Sequence, residues 1–251
     1  MSFFKIFKQN KEAEKKLPPL DFGLIGVDMH SHLLFGIDDG APTVEDSIQL
    51  IKELMALGYK RFITTPHIYR DLYFNSPDTI LPKLDAVRQA LKENQIDVQL
   101  DTAAEYFLDE HFEELIEKEE LLTFGDRHVL FEISFDSEPP MLNRAIFNMQ
   151  LRGYKPILAH PERYEFWHRD FDRYRSLAER GVLLQVNINC LTGHYGPQVR
   201  RISEKMIDEK LVSFLGTDCH HLGHINLTKQ ASELPYLHKA VLSGQLKNLS
   251  L

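Results

Sequence analysis

Residues 24–67, LIGVDMHSHLLFGIDDGAPTVEDSIQLIKELMALGYKRFITTPH, decide the fold. The stretch opens on a short apolar run and crosses a turn rich in Gly and Asp. It then enters a segment of helical period, where Ile48, Ile51, Leu54 and Met55 fall on one face. Thr43 can cap this helix, Asp46 sits at its third position, and Gly58 stops it. A β-branched run follows at once from Arg61. Strand, helix and strand in that order make one unit of a parallel sheet.

Working outward, the same alternation runs to the end of the chain. Strand candidates are Leu24–His30, Arg61–His67, Val98–Tyr106, Val129–Ser134, Pro156–His160, Val182–Asn187 and Val212–Thr217. Pro77 precedes a helical segment at Leu81–Leu91, Gly153 follows one at Ile146–Leu151, and Gly181 follows one at Tyr174–Ala178. Seven such units without a linker predict a single α/β domain over residues 23–251, closed or nearly closed as a barrel. An open sheet with helices on both faces is the alternative.

The 251-residue chain is 43% hydrophobic and 26% charged, the balance of an ordinary folded protein. Its formal net charge of −8 repels phosphate backbones, which argues against nucleic acid as a partner. Cys190 and Cys219 form no CxxC pair, which fits free thiols in a reducing cytoplasm. No apolar run approaches the roughly 20 residues that span a bilayer. The N-terminal segment has no cleavage-site pattern, so a cytoplasmic location is expected. Residues 1–22 read as an extension. Phe3, Phe4, Ile6 and Phe7 mixed with Lys5, Lys8, Lys11, Lys15 and Lys16 suit either a solvated tail or peripheral membrane contact through residues 1–16.

The chemistry sits at the strand ends. The first strand leads into Asp28-Met29-His30-Ser31-His32, the second ends on Pro66-His67, and the third carries Glu105. The fourth carries Glu132, the fifth His160-Pro161-Glu162-Arg163, and the seventh leads into Asp218-Cys219-His220. In a parallel barrel these points converge on one face. His30 and His32, one residue apart, point to the same side of an extended strand, and Asp218 and His220 repeat that spacing. Any one of these residues alone reads more simply as a cap or a surface group. Together, imidazoles and carboxylates in this arrangement suit Zn, Mn or Fe, with carboxylates such as Glu105 able to bridge ions.

Other hydrolytic chemistries lack their signatures. A cysteine phosphatase loop needs Arg six positions after the Cys, where this chain has Gly196 and Ile225. No GxxxxGK[ST], GxSxG or GxGxxG motif occurs. Metal-activated water is the chemistry left.

Six motifs carry a family resemblance: DMHSHLLFGIDDG at 28–40, TTPHI at 64–68, AAEYF at 103–107, LFEIS at 130–134, AHPERY at 159–164 and GTDCH at 216–220. At these residues the chain resembles the PHP (polymerase and histidinol phosphatase) family, most closely its capsule-type branch of manganese-dependent protein-tyrosine phosphatases. The resemblance implies a distorted (β/α)7 TIM-like barrel and up to three ions, Mn2+ first, with Fe or Zn as alternatives. It implies that His30, His32, Glu105 and Asp218 hold the first ion. Glu105, Glu132 and His160 would hold the second, and Asp39, His67 and His220 the third. Asp39 enters only through the resemblance, because Asp-Asp-Gly reads first as a turn.

Arg163 matches the family's catalytic Arg, whose planar fork can grip two phosphate oxygens. The implied substrate is protein phosphotyrosine, on the tail of a bacterial tyrosine kinase that controls polysaccharide export. Histidinol phosphate and a noncatalytic metal-stabilised binding role are the rival readings, and the negative charge disfavours a DNA exonuclease. The chain departs from compact members by some 25 residues before the first motif and by His221 directly after His220. His194, His221 and His224 carry no assignment.

Overall fold

The computed structural model describes residues 16–251. The N-terminal membrane or partner segment lies outside them except for Lys16, whose ammonium pairs with Glu233 at 2.5 Å. The strands are β1 (Val27–Asp28), β2 (Arg61–Thr64), β3 (His67–Ile68), β4 (Gln99–Thr102), β5 (Glu105–Phe107), β6 (His128–Glu132), β7 (Lys155–Ala159), β8 (Leu183–Asn187) and β9 (Val212–Gly216). All seven expected regions are present, but the first is shorter and the next two are broken. Phe22–Leu24 form a 3-10 turn capped by Asp21, so extended structure starts only after Gly26, which lies at φ +86°.

The second region divides around Thr65-Pro66, where Pro66 has no N–H to give a ladder. Ala103 N donates to Thr64 O at 3.0 Å and Glu105 N to Pro66 O at 3.0 Å, which carries the pairing across the break. β3 therefore continues β2, and β5 continues β4. The orders β1-β2-β4 and β3-β5-β6-β7-β8-β9 are two stretches of one parallel run.

The run returns on itself. Ser31 and Cys219 form a parallel bridge, with His32 N donating to Cys219 O at 2.9 Å and Asp218 N to His30 O at 2.8 Å. Below that bridge side chains replace the ladder. The Asp28 carboxylate accepts from Thr217 N at 3.0 Å and from Thr217 Oγ1 at 2.6 Å. Burial pushes the Asp28 carboxyl up to about 6 even though the Thr217 bonds act against it.

Among the described residues six helices connect the strands, α1 (Val44–Ala56), α2 (Pro77–Glu93), α3 (Glu110–Lys118), α4 (Leu142–Leu151), α5 (Asp172–Glu179) and α6 (Pro197–Asp208), and two follow β9, α7 (Leu222–Ala231) and α8 (Pro235–Leu242). In α1 the Thr43 side chain accepts from Asp46 N, as its position predicts. α2 starts at Pro77 rather than Leu81, because Pro suits the first helical position and Thr79 caps back to Ser76. α4 likewise begins four residues before Ile146. Among the described residues no helix is long and apolar enough to cross a membrane.

A large core fills the layer between strands and helices, and a smaller one, with Met29, Ile63, Ala103, Leu130, Ile157 and Phe214, fills the space the strands enclose. Each of the larger of these side chains contributes about 1.5–3 kcal/mol through burial. Side chains two apart share a strand face. Ala103 and Leu130 therefore point the way for Glu105 and Glu132, which sit at the upper end of that interior.

Candidate metal centre

Nine of the residues singled out by sequence come together at the C-terminal ends of the strands. Glu105 is at the centre, wholly buried. Its Oε2 lies 3.1 Å from His30 Nε2, 3.4 Å from His32 Nε2 and 3.3 Å from His67 Nδ1, and its Oε1 lies 3.1 Å from His160 Nε2. Asp218 Oδ1 lies 3.4 Å from His30 Nε2 and 3.5 Å from His32 Nε2. Glu132 completes one side, 3.4 Å from His67 Nδ1 and 3.7 Å from His160 Nε2. On the other side the half-exposed Asp39 reaches His67 Nε2 at 3.6 Å and His220 Nε2 at 3.4 Å. His160 and Asp218 hold their places with left-handed backbone, φ 32° and 49°, where non-glycine residues are strained.

The hydrogen bonds behind these side chains fix which nitrogen faces inward. Asp218 is a carboxylate and can only accept, so Asn187 must donate its Nδ2 hydrogens to Oδ2, at 2.6 Å. Asn187 Oδ1 then accepts from Gln185 Nε2 at 2.8 Å, which turns Gln185 Oε1 toward His30 Nδ1, also at 2.8 Å. Neutral His30 therefore keeps its proton on Nδ1, and its Nε2 is the nitrogen that would offer a lone pair to an ion. His32 gives Nδ1–H to Asp38 Oδ2 at 2.8 Å, and His220 gives Nδ1–H to the Asp218 carbonyl at 2.9 Å. Their Nε2 lone pairs face the same space.

The residues present fit divalent cations. His30 Nε2, His32 Nε2, His67 Nδ1 and Glu105 Oε2 are buried and have no hydrogen-bond partner. Buried polar atoms are ordinarily paired, and lone pairs that converge without donors between them are what a metal ion satisfies. Four groupings bring ligand atoms within 4.8 Å of one another: His32, Asp39, His67 and His220; His30, His32 and Glu105; His30, His160 and Asp218; and His67, Glu105 and Glu132. They differ from the expected sets in that His67 faces both Asp39 and Glu105, while His160 also approaches His30 and Asp218.

Charge tells the same story. Burial lifts the Glu132 carboxyl well above the carboxylate range, and neighbouring Glu105 and Asp218 lift it further. Burial lowers His30, but the Glu105 and Asp218 carboxylates outweigh it and hold His30 at about 9. Burial and the His32 charge draw His67 down to about 4. In the ion-free protein the protonated His30 and His32 supply the positive charge that balances the buried carboxylates.

The cluster floors a pocket of about 670 Å3. Arg163 stands at its wall, with Nη1 3.4 Å from Asp218 Oδ2. Tyr69, Tyr73, Phe107 and Phe135 form an aromatic rim, with Tyr69 and Phe107 stacked at 4.0 Å. His221 and His224 also line the pocket, and His224 contacts the Asp218 carbonyl at 2.9 Å. His194 packs on Tyr195. Sequence reading missed Asp38, Gln185 and Asn187. The polar pair Gln185 and Asn187, two apart in an otherwise apolar strand, was the available signal.

Fold and donor set together define a barrel-like α/β protein with a candidate His/Asp/Glu metal site at its strand ends. The chain belongs to the family described as capsular polysaccharide synthesis, CpsB/CapC, whose model matches residues 26–237. It is 28% identical over 222 residues to the tyrosine-protein phosphatase YwqE of Bacillus subtilis, which covers 84% of this chain and 87% of YwqE. It is 26% identical over 220 residues to the tyrosine-protein phosphatase CpsB of Streptococcus pneumoniae, covering 85% and 87%. A solved structure described with YwqE and CpsB as metal-dependent tyrosine phosphatases matches with a TM-score of 0.78 at 28% identity, over 85% of this chain and 86% of that one. Histidinol phosphate phosphatase from Lactococcus lactis shares the fold, with a TM-score of 0.52 at 15% identity over 83% and 92% of the two chains.

Proposed function

We propose that this chain is a metal-dependent protein-tyrosine phosphatase. The observation that carries the reading is the placement of Arg163 beside a converging set of unpaired imidazole and carboxylate lone pairs in one aromatic-rimmed pocket. His30, His32, Glu105 and Asp218 would hold one ion, Glu105, Glu132 and His160 a second, and Asp39, His67 and His220 a third. Mn2+ is favoured by resemblance, and the same donors accept Fe or Zn. Bound divalent ions supply Lewis-acid stabilisation of phosphoryl oxygens and lower the pKa of water toward neutrality.

The chain's own residues do the rest. Asp39, Glu105 and Asp218 would repel a phosphate dianion, and divalent cations among them would offset that repulsion. Arg163 offers its N–H fork to two phosphate oxygens as charge builds during transfer. Asp38, Gln185 and Asn187 hold His30, His32 and Asp218 in orientation. The aromatic rim suits an aryl ester. A tyrosine leaving group, with a pKa of about 10, departs with little protonation, so the reaction makes small demand on a dedicated acid.

The substrate class is phosphotyrosine on a polypeptide, with the tail of a cytoplasmic-facing kinase of polysaccharide export as the physiological candidate. The family's capsular description supports the link to polysaccharide, and the names of the relatives support phosphotyrosine as the substrate class. Stripped protein refilled with manganese should release phosphate from a phosphotyrosine peptide faster than from histidinol phosphate, and chelator should abolish both. The reverse preference would move the protein to a small-molecule substrate, and metal uptake without turnover would favour a noncatalytic role.

A further inference from the structure

The Arg163 guanidinium carbon lies 4.6 Å from the ring centroid of Phe135 and 4.5 Å from that of Tyr195. The three groups come from consecutive strand ends: Phe135 follows β6, Arg163 follows β7, and Tyr195 follows β8. Among the described residues Asp218 is the one hydrogen-bond partner of the Arg163 guanidinium, through Nη1 alone. A guanidinium has five N–H donors. The guanidinium thus lies over two rings, while its described hydrogen bonding uses one Nη.

Both rings are themselves held. Phe135 packs on His160 at 5.7 Å and on Tyr164 at 5.5 Å. Tyr164 is buried, accepts from Ile133 N at 3.0 Å and donates to Ala159 O at 3.2 Å. Tyr195 sits in a turn set by Gly193 and Gly196, at φ 81° and 101°, and meets His194 edge-on at 4.7 Å. Tyr195 carries no function in the reading so far, and Phe135 only its place in the pocket rim.

We infer that Phe135 and Tyr195 are positioning residues that clamp Arg163 in the plane in which its N–H fork meets a phosphate. The inference rests on the phosphatase reading. Arg stacks readily on aromatic faces, and contact with two rings restrains the group from tilting without consuming its N–H donors. An Arg already ordered spends less binding energy on its own immobilisation when phosphate arrives. The same contacts would exist if the rings merely packed the barrel rim. The two cases differ in whether the rings act through Arg163.

The test is a double-mutant cycle on the full-length manganese-loaded protein. Phe135→Leu, Tyr195→Leu, Tyr195→Phe and Arg163→Ala are compared with Tyr195→Leu and Phe135→Leu built on Arg163→Ala. Metal content, kcat and KM on a phosphotyrosine peptide, and calorimetric binding of inorganic phosphate are read on each. Each Leu variant should keep its metals, lower kcat/KM about five- to tenfold and weaken phosphate binding by a similar factor, the scale of a lost cation–π contact. Tyr195→Phe should recover most of the loss, and the Leu effects should vanish on Arg163→Ala.

Leu effects of equal size with and without Arg163, or no effect in its presence, would overturn the clamp. If the wild type does not hydrolyse the peptide, the phosphatase reading fails. The phosphate-binding cycle then decides the clamp alone, with absent binding or absent coupling counting against it. Tyr195 lies on a loop, so its variants carry the test if Phe135→Leu does not fold.

Discussion

Oε1 of Gln185 lies 2.8 Å from Nδ1 of His30, with both residues wholly buried and 155 positions apart in the chain. The contact orients an imidazole whose other nitrogen faces the proposed metal site. Through Asn187 it also ties His30 to Asp218. Gln185→Leu removes the acceptor and frees the ring to turn. Manganese affinity should fall by about 10–100-fold, the usual cost of removing such an outer partner. Competition against a calibrated chelator measures it, and an unchanged dissociation constant would remove Gln185 from the account.

Metal uptake should also compete with protons. In the ion-free protein the flanking carboxylates hold the His30 proton up to about 9. An ion needs the lone pair that this proton occupies. Below about 9 the proton must be displaced, so affinity should weaken as pH falls, by up to about tenfold per unit for this one group. Titrations with manganese between pH 6 and 9, in buffers of different ionisation enthalpy, should show protons released on binding. A pH-independent affinity without proton release would contradict the assignment of His30.

Much of the site was legible because its chemistry lies at strand ends, where a His, Asp or Glu interrupts an apolar run. His30 and His32 are readable as a pair from spacing alone. Asp39 was not, since its Asp-Asp-Gly context describes a turn equally well. The structure shows why both readings hold: Asp38 turns inward to His32 while Asp39 turns out toward His67 and His220. The strand breaks at Thr65-Pro66 and Ala103-Ala104 were hidden because side-chain alternation continues across them. Phe135 and Tyr195 carry no local signal, because what unites them is a guanidinium from a third loop.

The closure of the barrel makes a separate prediction about stability. Asn248 is wholly buried, and its Nδ2 donates to Val27 O at 2.9 Å and to Leu215 O at 2.7 Å, while Oδ1 accepts from Leu215 N at 3.1 Å. It thus joins β1 to β9 below the single backbone bridge between the first and last strand regions. Asn248→Ala leaves those backbone groups unpaired and should cost about 2–3 kcal/mol. Denaturant unfolding of the metal-loaded protein should show the loss as a lower midpoint. A midpoint within error of wild type would mean that water restores the bonds.

The most direct test of the central claim counts ions and turnover on the same samples of wild type, Glu105→Ala and Arg163→Ala. Glu105 faces four imidazoles, so its loss should lower the manganese content per chain and abolish phosphate release from a phosphotyrosine peptide. Arg163→Ala should keep the wild-type ion content while turnover falls about a hundredfold, the scale for losing one group that stabilises developing charge. Full turnover in Glu105→Ala, or wild-type turnover in chelated protein, would contradict the account.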